Sequence, residues 1–196
     1  MTQLKNLPNI EPVVPAEDVD TAVADALVPY AADAAVKALG AVAELSDQEP
    51  LYAAAAGVLA TAVVLRDGPT WRTGTRVLAA HLLATALRGV VKTMVDRTRP
   101  EAAARRGDYV LRKGKRQESD FNSFPSGHTA GAVAVAMAVG RDHPGARWPA
   151  FALGTLTGAA QIVRSRHYIS DVVAGAVIGI AAELLVDAVI TRASKV

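Results

Sequence analysis

Cysteine is absent from all 196 residues. That excludes disulfides, thiolate metal sites and cysteine nucleophiles, and it leaves the redox compartment open. Aromatic residues make up only 5%, so any core must be built from Ala, Val, Leu and Gly. Helices with such small faces approach closely, as membrane helices often do. The net charge of +2 is too small to argue for a nucleic-acid partner. The opening residues "MTQLKNLPNIEPVVPAEDVD" lack the basic-then-apolar pattern of a secretory signal, so insertion into a membrane is expected to use internal segments. Strand signals, internal repeats and low-complexity segments are missing as well.

Hydrophobic residues reach 51% against 20% charged, and the two kinds are segregated along the chain. The length suits one domain with a substantial core. Five apolar stretches stand out: 51–65, 77–91, 129–139, 149–163 and 172–190. Ala and Leu dominate them and turn signals such as "RDGPT" and "RDHPG" separate them, which predicts helices. Only the last approaches the roughly 20 residues that cross a bilayer, and 77–91 contains His81 and Arg88. A soluble helical bundle therefore competes with a membrane one, but five such segments are hard to reconcile with a soluble surface. The expected fold is all-α, a membrane bundle of five to six helices.

Residues 1–17 carry three prolines, Pro8, Pro12 and Pro15, and read as an irregular arm. From 18 to 46 the composition is helical, with acids recurring among alanines and a kink expected at Pro29. Asp18, Asp20, Asp25 and Asp33 make a central span costly, so an amphipathic, interfacial helix is expected ahead of a core bundle over 51–190. The connection from Lys92 to Ser123 is long. It holds Arg97, Arg99, Arg105, Arg106, Arg112, Lys113, Lys115 and Arg116. It reads either as a solvated basic loop or as a funnel for an anionic headgroup.

Three clusters carry chemistry. In "KTMVDRTRP" Pro100 is expected to stop a helix whose last turns run from Lys92 to Arg99. These two cations, seven apart, would share a face and suit a multiply charged oxyanion; capping of a helix C-terminus is the plainer role. In "FPSGH" the helix N-terminus after Pro125 is a phosphate cradle. Ser126 and Gly127 present backbone N–H groups there, the Ser126 hydroxyl adds a donor, and His128 stands within reach. Ser126 as an N-cap is the plainer reading. In "RSRHYISD" His167 and Asp171 are four apart, so on a helical turn the carboxylate can accept the imidazole N–H and leave the other nitrogen basic. If the five helices alternate in direction, all three clusters meet at one end.

Lys92, six residues, Arg99-Pro100; then Pro125-Ser126-Gly127-His128; then His167, three residues, Asp171. In order and spacing this set resembles the type 2 phosphatidic acid phosphatase superfamily, over roughly residues 51–190 within an 18–196 domain. The resemblance implies a helical bundle with the site at one end and, in the phosphatases, no metal and no cofactor. It implies that His167 attacks phosphorus and is transiently phosphorylated, with Asp171 orienting it. It makes His128 the leaving-group acid, and Lys92, Arg99, Ser126 and Gly127 the phosphate binders.

One departure matters. The family pattern has Ser-Arg, five residues, then His; counting back from His167 puts Ala160 and Gln161 there. Arg164, one helical turn on, is the expected substitute; altered substrate preference and impaired catalysis are the alternatives. The reading that results is a metal-independent membrane phosphatase acting on a lipid-linked phosphomonoester or diphosphate through a phosphohistidine. It has the membrane and a lipid phosphate as partners, no nucleic acid, and no indication of oligomeric state. The expected location is a bacterial inner membrane with the site facing outward, although the positive-inside rule pulls the basic loop the other way. A catalytically silent lipid-binding scaffold and a soluble haloperoxidase-like or acid-phosphatase-like enzyme are the alternatives.

Overall fold

The computed structural model describes residues 15–114 and 118–193. Most of the expected arm, residues 1–14, lies outside the described residues, as do Lys115, Arg116 and Lys195. Eight α-helices and one small sheet follow in order: α1 (Pro15–Leu27), α2 (Ala34–Ala43), α3 (Gln48–Leu65), α4 (Gly68–Lys92), β1 (Val95–Arg97), α5 (Pro100–Arg106), β2 (Leu111–Lys113), α6 (Gly127–Asp142), α7 (Arg147–Val163) and α8 (Ile169–Ala193). All five predicted apolar helices form, each longer than its apolar run. The helix ends follow local chemistry. The Asp47 carboxylate accepts the Gln48 N–H at the start of α3, Arg66 closes α3 in the left-handed region, and Ser126 caps α6.

Two expectations fail. A sheet is present: β1 and β2 pair antiparallel, with Val95 opposite Lys113 and Arg97 opposite Leu111. At three residues each, these strands are too short to show alternation. The helix through "KTMVDRTRP" stops at Lys92, not at Pro100. β-Branched Thr93, Val95 and Thr98 favour extended backbone there, and Pro100 opens α5 instead of ending α4, because its missing N–H costs nothing in a first turn. α1 ends at Leu27, just ahead of Pro29, and the helical stretch that runs on to Tyr30 meets α2 at 113° across residues 31–33.

α6 is the centre of the bundle and packs against α4, α7 and α8, while α3 lies on α4 and α2 on α7. Ala80 and Ala84, Ala134 and Ala138, and Ala182 and Val186 form the core cluster. Each pair is one helical turn apart, so each helix offers a single narrow apolar stripe. α8 comes closest to α6 at Gly175 and Gly179, where an added Cβ would sit 2.5 Å from the Ser126 and Ala130 carbonyl oxygens respectively. Val64, Leu153, Leu156, Val177, Leu185 and Val189 face outward, an apolar exterior that suits lipid better than water. Helices α3 and α8 are long and apolar enough to cross a membrane, and the bent pair before α3 counts as a third if it is one broken span.

The end of the bundle opposite the three sequence clusters is closed by paired charges. Arg76, 1% exposed, places its Nη1 2.7 Å from Asp187 Oδ1 and 3.4 Å from Glu183 Oε1. Arg141 grips the same Glu183 with Nε at 2.6 Å and Nη2 at 2.8 Å. This network ties α4, α6 and α8 together where an unpaired charge would be costly.

The close approach of α8 to α6 makes a stability prediction. Gly179→Val should destabilise the protein by about 1–3 kcal/mol, because the atom it meets is backbone and cannot swing aside. Gly57→Ala, where nothing lies within 4 Å, should not. Thermal unfolding in detergent checks both, and equal midpoints for the two variants would contradict the packing described.

Candidate active site

The C-terminal end of α4, the N-terminus of α6 and the turn between α7 and α8 meet at one end of the bundle. His167 lies in that turn, 3% exposed, with Nδ1 2.7 Å from the Ser123 carbonyl oxygen. A carbonyl can only accept, so Nδ1 carries the proton and Nε2 keeps its lone pair. The sequence spacing assigned this orienting role to Asp171. The nearer carboxylate oxygen is 3.7 Å from Nδ1, an ion-pair distance beyond a hydrogen bond. The reason is local: residues 164–167 form a turn ahead of α8, so His167 and Asp171 do not share regular helical geometry. Asp171 instead accepts the Tyr168 N–H at 2.9 Å, the N3-to-N-cap half of a capping box.

The carboxylate of Asp171 is saturated. It accepts Arg97 Nη1 at 2.7 Å and Ser123 Oγ at 2.5 Å as well as the Tyr168 N–H. Ser123 therefore touches both members of the pair, its carbonyl on His167 and its hydroxyl on Asp171. Arg97 is 2% exposed and reaches on to Asp20 of α1 at 2.8 Å. Burial opposes its charge, but Asp171 and Asp20 outweigh it and hold the guanidinium firmly protonated. Ser123, Arg97 and Asp20 went unrecognised in the sequence as parts of the site. The first two lie inside a loop without periodicity, and Asp20 is one acid among four in its helix.

At α6, Ser126 is fully buried. Its Oγ lies 2.9 Å from Thr129 Oγ1 and caps the Thr129 N–H, and its own N–H donates to the Asp171 carbonyl at 3.0 Å. The N-cap role expected as the plainer one is thus realised. The Gly127 and His128 N–H groups, in the first turn, have no intrahelical acceptor. His128 Nε2 lies 3.7 Å from Glu44 Oε2 and 3.9 Å from Asp47 Oδ1 and makes no hydrogen bond. Glu44, Asp47 and His128 offer ligand atoms within 4.8 Å of one another, the one such group among the described residues.

Lys92 and Arg99 come together although no helix joins them. Lys92 lies in the field of the Arg99 charge, and both lie in that of Arg88. Arg99 Nε donates to the Ser119 carbonyl at 2.9 Å. Burial pushes the Arg99 pKa down, and Arg166 and Arg88 push the same way. Arg164 is turned from this group toward α2, where its Nη1 meets Glu44 Oε1 at 2.8 Å. The arrangement is a buried neutral imidazole, a helix N-terminus and several crowded cations around one small volume. It is equipped to hold a tetrahedral oxyanion against a nitrogen nucleophile.

The family profile of the PAP2 superfamily matches residues 73–194. The chain belongs to the PAP2 superfamily. Its match to the lipid A 1-phosphatase of Porphyromonas gingivalis is 37% identical over 79 residues, covering 38% of this chain and 18% of that protein. The chain thus spans under a fifth of that relative's length. Among solved structures, a transmembrane PAP2-type phosphatidylglycerolphosphate phosphatase from Bacillus subtilis superposes with a TM-score of 0.67 at 18% identity, over 92% of this chain and 89% of that one. LpxE of Aquifex aeolicus superposes at 0.64 and 20% identity, over 90% and 97%. At these identities the likeness speaks for the fold: an all-α PAP2 bundle of the kind found in membrane phosphatases.

In the PAP2 site the protonation state of His167 follows from its surroundings. Burial lowers its pKa most, Asp171 raises it, Arg99 lowers it again and the Ser123 carbonyl raises it slightly, with a net downward shift from 6.5. The imidazole is therefore neutral at pH 7. By nuclear magnetic resonance, His167 should titrate with a midpoint below 6.5. Asp171→Asn, which removes a contribution favouring the charged form, should move that midpoint lower still. A midpoint above 6.5 in the unsubstituted protein would contradict this account.

Proposed function

We propose that this PAP2 protein is an integral membrane phosphatase that hydrolyses a lipid-linked phosphomonoester or diphosphate through a phosphohistidine. The observation that carries the reading is the His167 tautomer, with Nδ1–H fixed on the Ser123 carbonyl and Nε2 free. In the first step Nε2 attacks phosphorus in line, the N–P bond forms and the P–O bond to the leaving group breaks. His128 gives that oxygen a proton as it departs. In the second step His128, now neutral, takes a proton from water. The hydroxide attacks phosphorus, the N–P bond breaks and inorganic phosphate leaves. Asp171 offsets the positive charge that the ring carries while phosphorylated. Lys92, Arg99 and the Gly127 N–H bind the non-bridging oxygens, where a phosphoryl-transfer transition state spreads its charge. Ser126 holds the helix terminus in place through its cap. Arg164, paired with Glu44, stands on the His128 side of the pocket.

No step needs a metal, since the anion's charge is met by side chains and a helix N-terminus. A lipid substrate suits the apolar groove of about 370 Å³ between α6 and α7, lined by Leu51, Ala136, Val139, Leu153 and Thr157. Leu51 lies one turn into α3 from Asp47, so the groove opens near the mouth of the site. A chain lying there would carry its phosphate to the bundle's end. We place that end on the outward face of a bacterial inner membrane. Arg76 and Arg141 at the other end are internally paired, so they are poor guides to topology.

Phosphate release from a panel of lipid phosphates, measured in detergent with EDTA present, tests the reading. His167→Ala should lower turnover by about 1,000-fold or more, as loss of a nucleophile does, with an unchanged unfolding midpoint. Retention of a tenth or more of the activity would remove the phosphohistidine, and dependence on added metal would remove the metal-free mechanism.

A further inference from the structure

Gln161 puts an amide where the family pattern has a guanidinium. The side chain is 1% exposed and its Nε2 has no hydrogen-bond partner among the described residues. The sequence points to Arg164 as the compensating charge, but that guanidinium is engaged elsewhere. It pairs with Glu44 and packs on Gly40 of α2, where an added Cβ would come within 2.6 Å of its Nε.

Arg88 has the opposite character. It precedes Lys92 by one turn of α4, so the two side chains share a face. Its guanidinium lies against Gly127, where an added Cβ would meet Cζ at 2.8 Å, Nε at 2.9 Å and Nη2 at 3.0 Å. That places it beside the first N–H groups of α6. Its Nε is buried without a hydrogen-bond partner, and it forms no ion pair among the described residues. The charge of Arg88 reaches both Lys92 and Arg99, and that of Arg99 reaches Lys92, while Asp47 is the carboxylate whose field reaches Arg88. Three cations gathered so closely around a helix N-terminus repel one another, so the arrangement suits an occupying anion.

We propose that Arg88 binds a non-bridging oxygen of the phosphoryl group, supplying from α4 the guanidinium that Gln161 does not supply from α7. This rests on the phosphatase reading above. It keeps three cations in the pocket and leaves Gln161 a neutral donor. It also gives Gly127 a second reason to be glycine, since any side chain there would push the Arg88 fork off the helix terminus. An arginine in place of Gln161 would recreate the lost contact, so the two positions should trade for each other.

Orthovanadate is the probe, and the full chain in detergent is the material. Stabilisation of the unfolding midpoint by vanadate gives its affinity without reference to turnover. Arg88→Ala should weaken vanadate about 100-fold and lower kcat/KM on lipid phosphate comparably, with an unliganded midpoint close to that of the parent. Arg88→Lys should recover part of the loss, as a point charge replacing a two-pronged donor. Adding Gln161→Arg to Arg88→Ala should recover about tenfold or more. Should Arg88→Ala not fold, Arg88→Gln retains most of the bulk and carries the same comparison. Vanadate affinity within about threefold of the parent in Arg88→Ala would overturn the proposal, threefold being under 1 kcal/mol. So would a loss that Gln161→Arg fails to relieve, or a larger loss in Arg164→Ala than in Arg88→Ala. An unsubstituted chain that neither binds vanadate nor releases phosphate would remove the phosphatase reading and this assignment with it. That outcome is distinguishable because it appears before any substitution is made.

Discussion

The carboxylate of Asp171 is the point on which the site end of the bundle depends. It holds the start of α8 through the Tyr168 N–H, the loop ahead of α6 through Ser123 Oγ, and β1 through Arg97. Arg97 in turn reaches Asp20 of α1, and Asp20 accepts the Ser170 N–H at 3.0 Å, closing the ring back onto α8. A buried carboxylate with three donors is expensive to form and more expensive to leave half-satisfied. The elements that supply those donors are therefore fixed relative to one another with the precision of hydrogen-bond geometry. His167 inherits that precision indirectly, since the residue that accepts its Nδ1–H is the same Ser123.

The two ends of the bundle treat charge in opposite ways. At one end Arg76 and Arg141 are each matched by Glu183 and Asp187, so the network is neutralised within the protein. At the other, Lys92 and Arg88 make no ion pair among the described residues and Arg99 spends only its Nε on a carbonyl. Closed networks hold helices together; open ones hold ligands. The contrast makes no use of any motif and favours the same end as the proposed site. Glu44 and Asp47 lie beside His128 from the α2–α3 connection, so on the proposed reading the leaving-group side of the pocket is acidic while the phosphate side is basic. That polarity suits a leaving group that donates hydrogen bonds better than one that is itself an anion.

Much of this was legible in the sequence, for physical reasons that differ by feature. The five core helices follow from Ala-rich runs and turn signals, which act locally. His128, His167, Asp171, Lys92 and Arg99 were found because their spacing is a pattern, and the structure brings all five to one end. What spacing could not give was the geometry between segments. Lys92 and Arg99 meet through a strand and a turn, not along one helix, and the Nδ1–H of His167 goes to a backbone carbonyl that no sequence signal marks. Arg164 stands out for being one turn from Gln161, yet Glu44, just past the end of α2, draws it away. Arg88 was visible only as a charge inside an apolar run, which reads as a cost until the neighbouring helix is in place.

An arginine can occupy different positions in a fold and serve the same phosphate. A tetrahedral oxyanion presents oxygens in several directions, and a guanidinium on a long stem can approach any one of them from more than one backbone position. What the pocket requires is a number of cations and a shape, not a particular helix. Supplying the guanidinium from α4 in place of α7 has a structural condition, which is clearance over the first residue of α6, and Gly127 provides it. It also has a consequence. A cation on α4 rides with Lys92, so whatever shifts the end of that helix moves two phosphate contacts together. A cation on α7 would move with the turn that carries His167. On the proposed reading the binding charges and the nucleophile sit on separate elements, joined through Ser123, the Arg97–Asp171 pair and the Ser126 N–H on the Asp171 carbonyl.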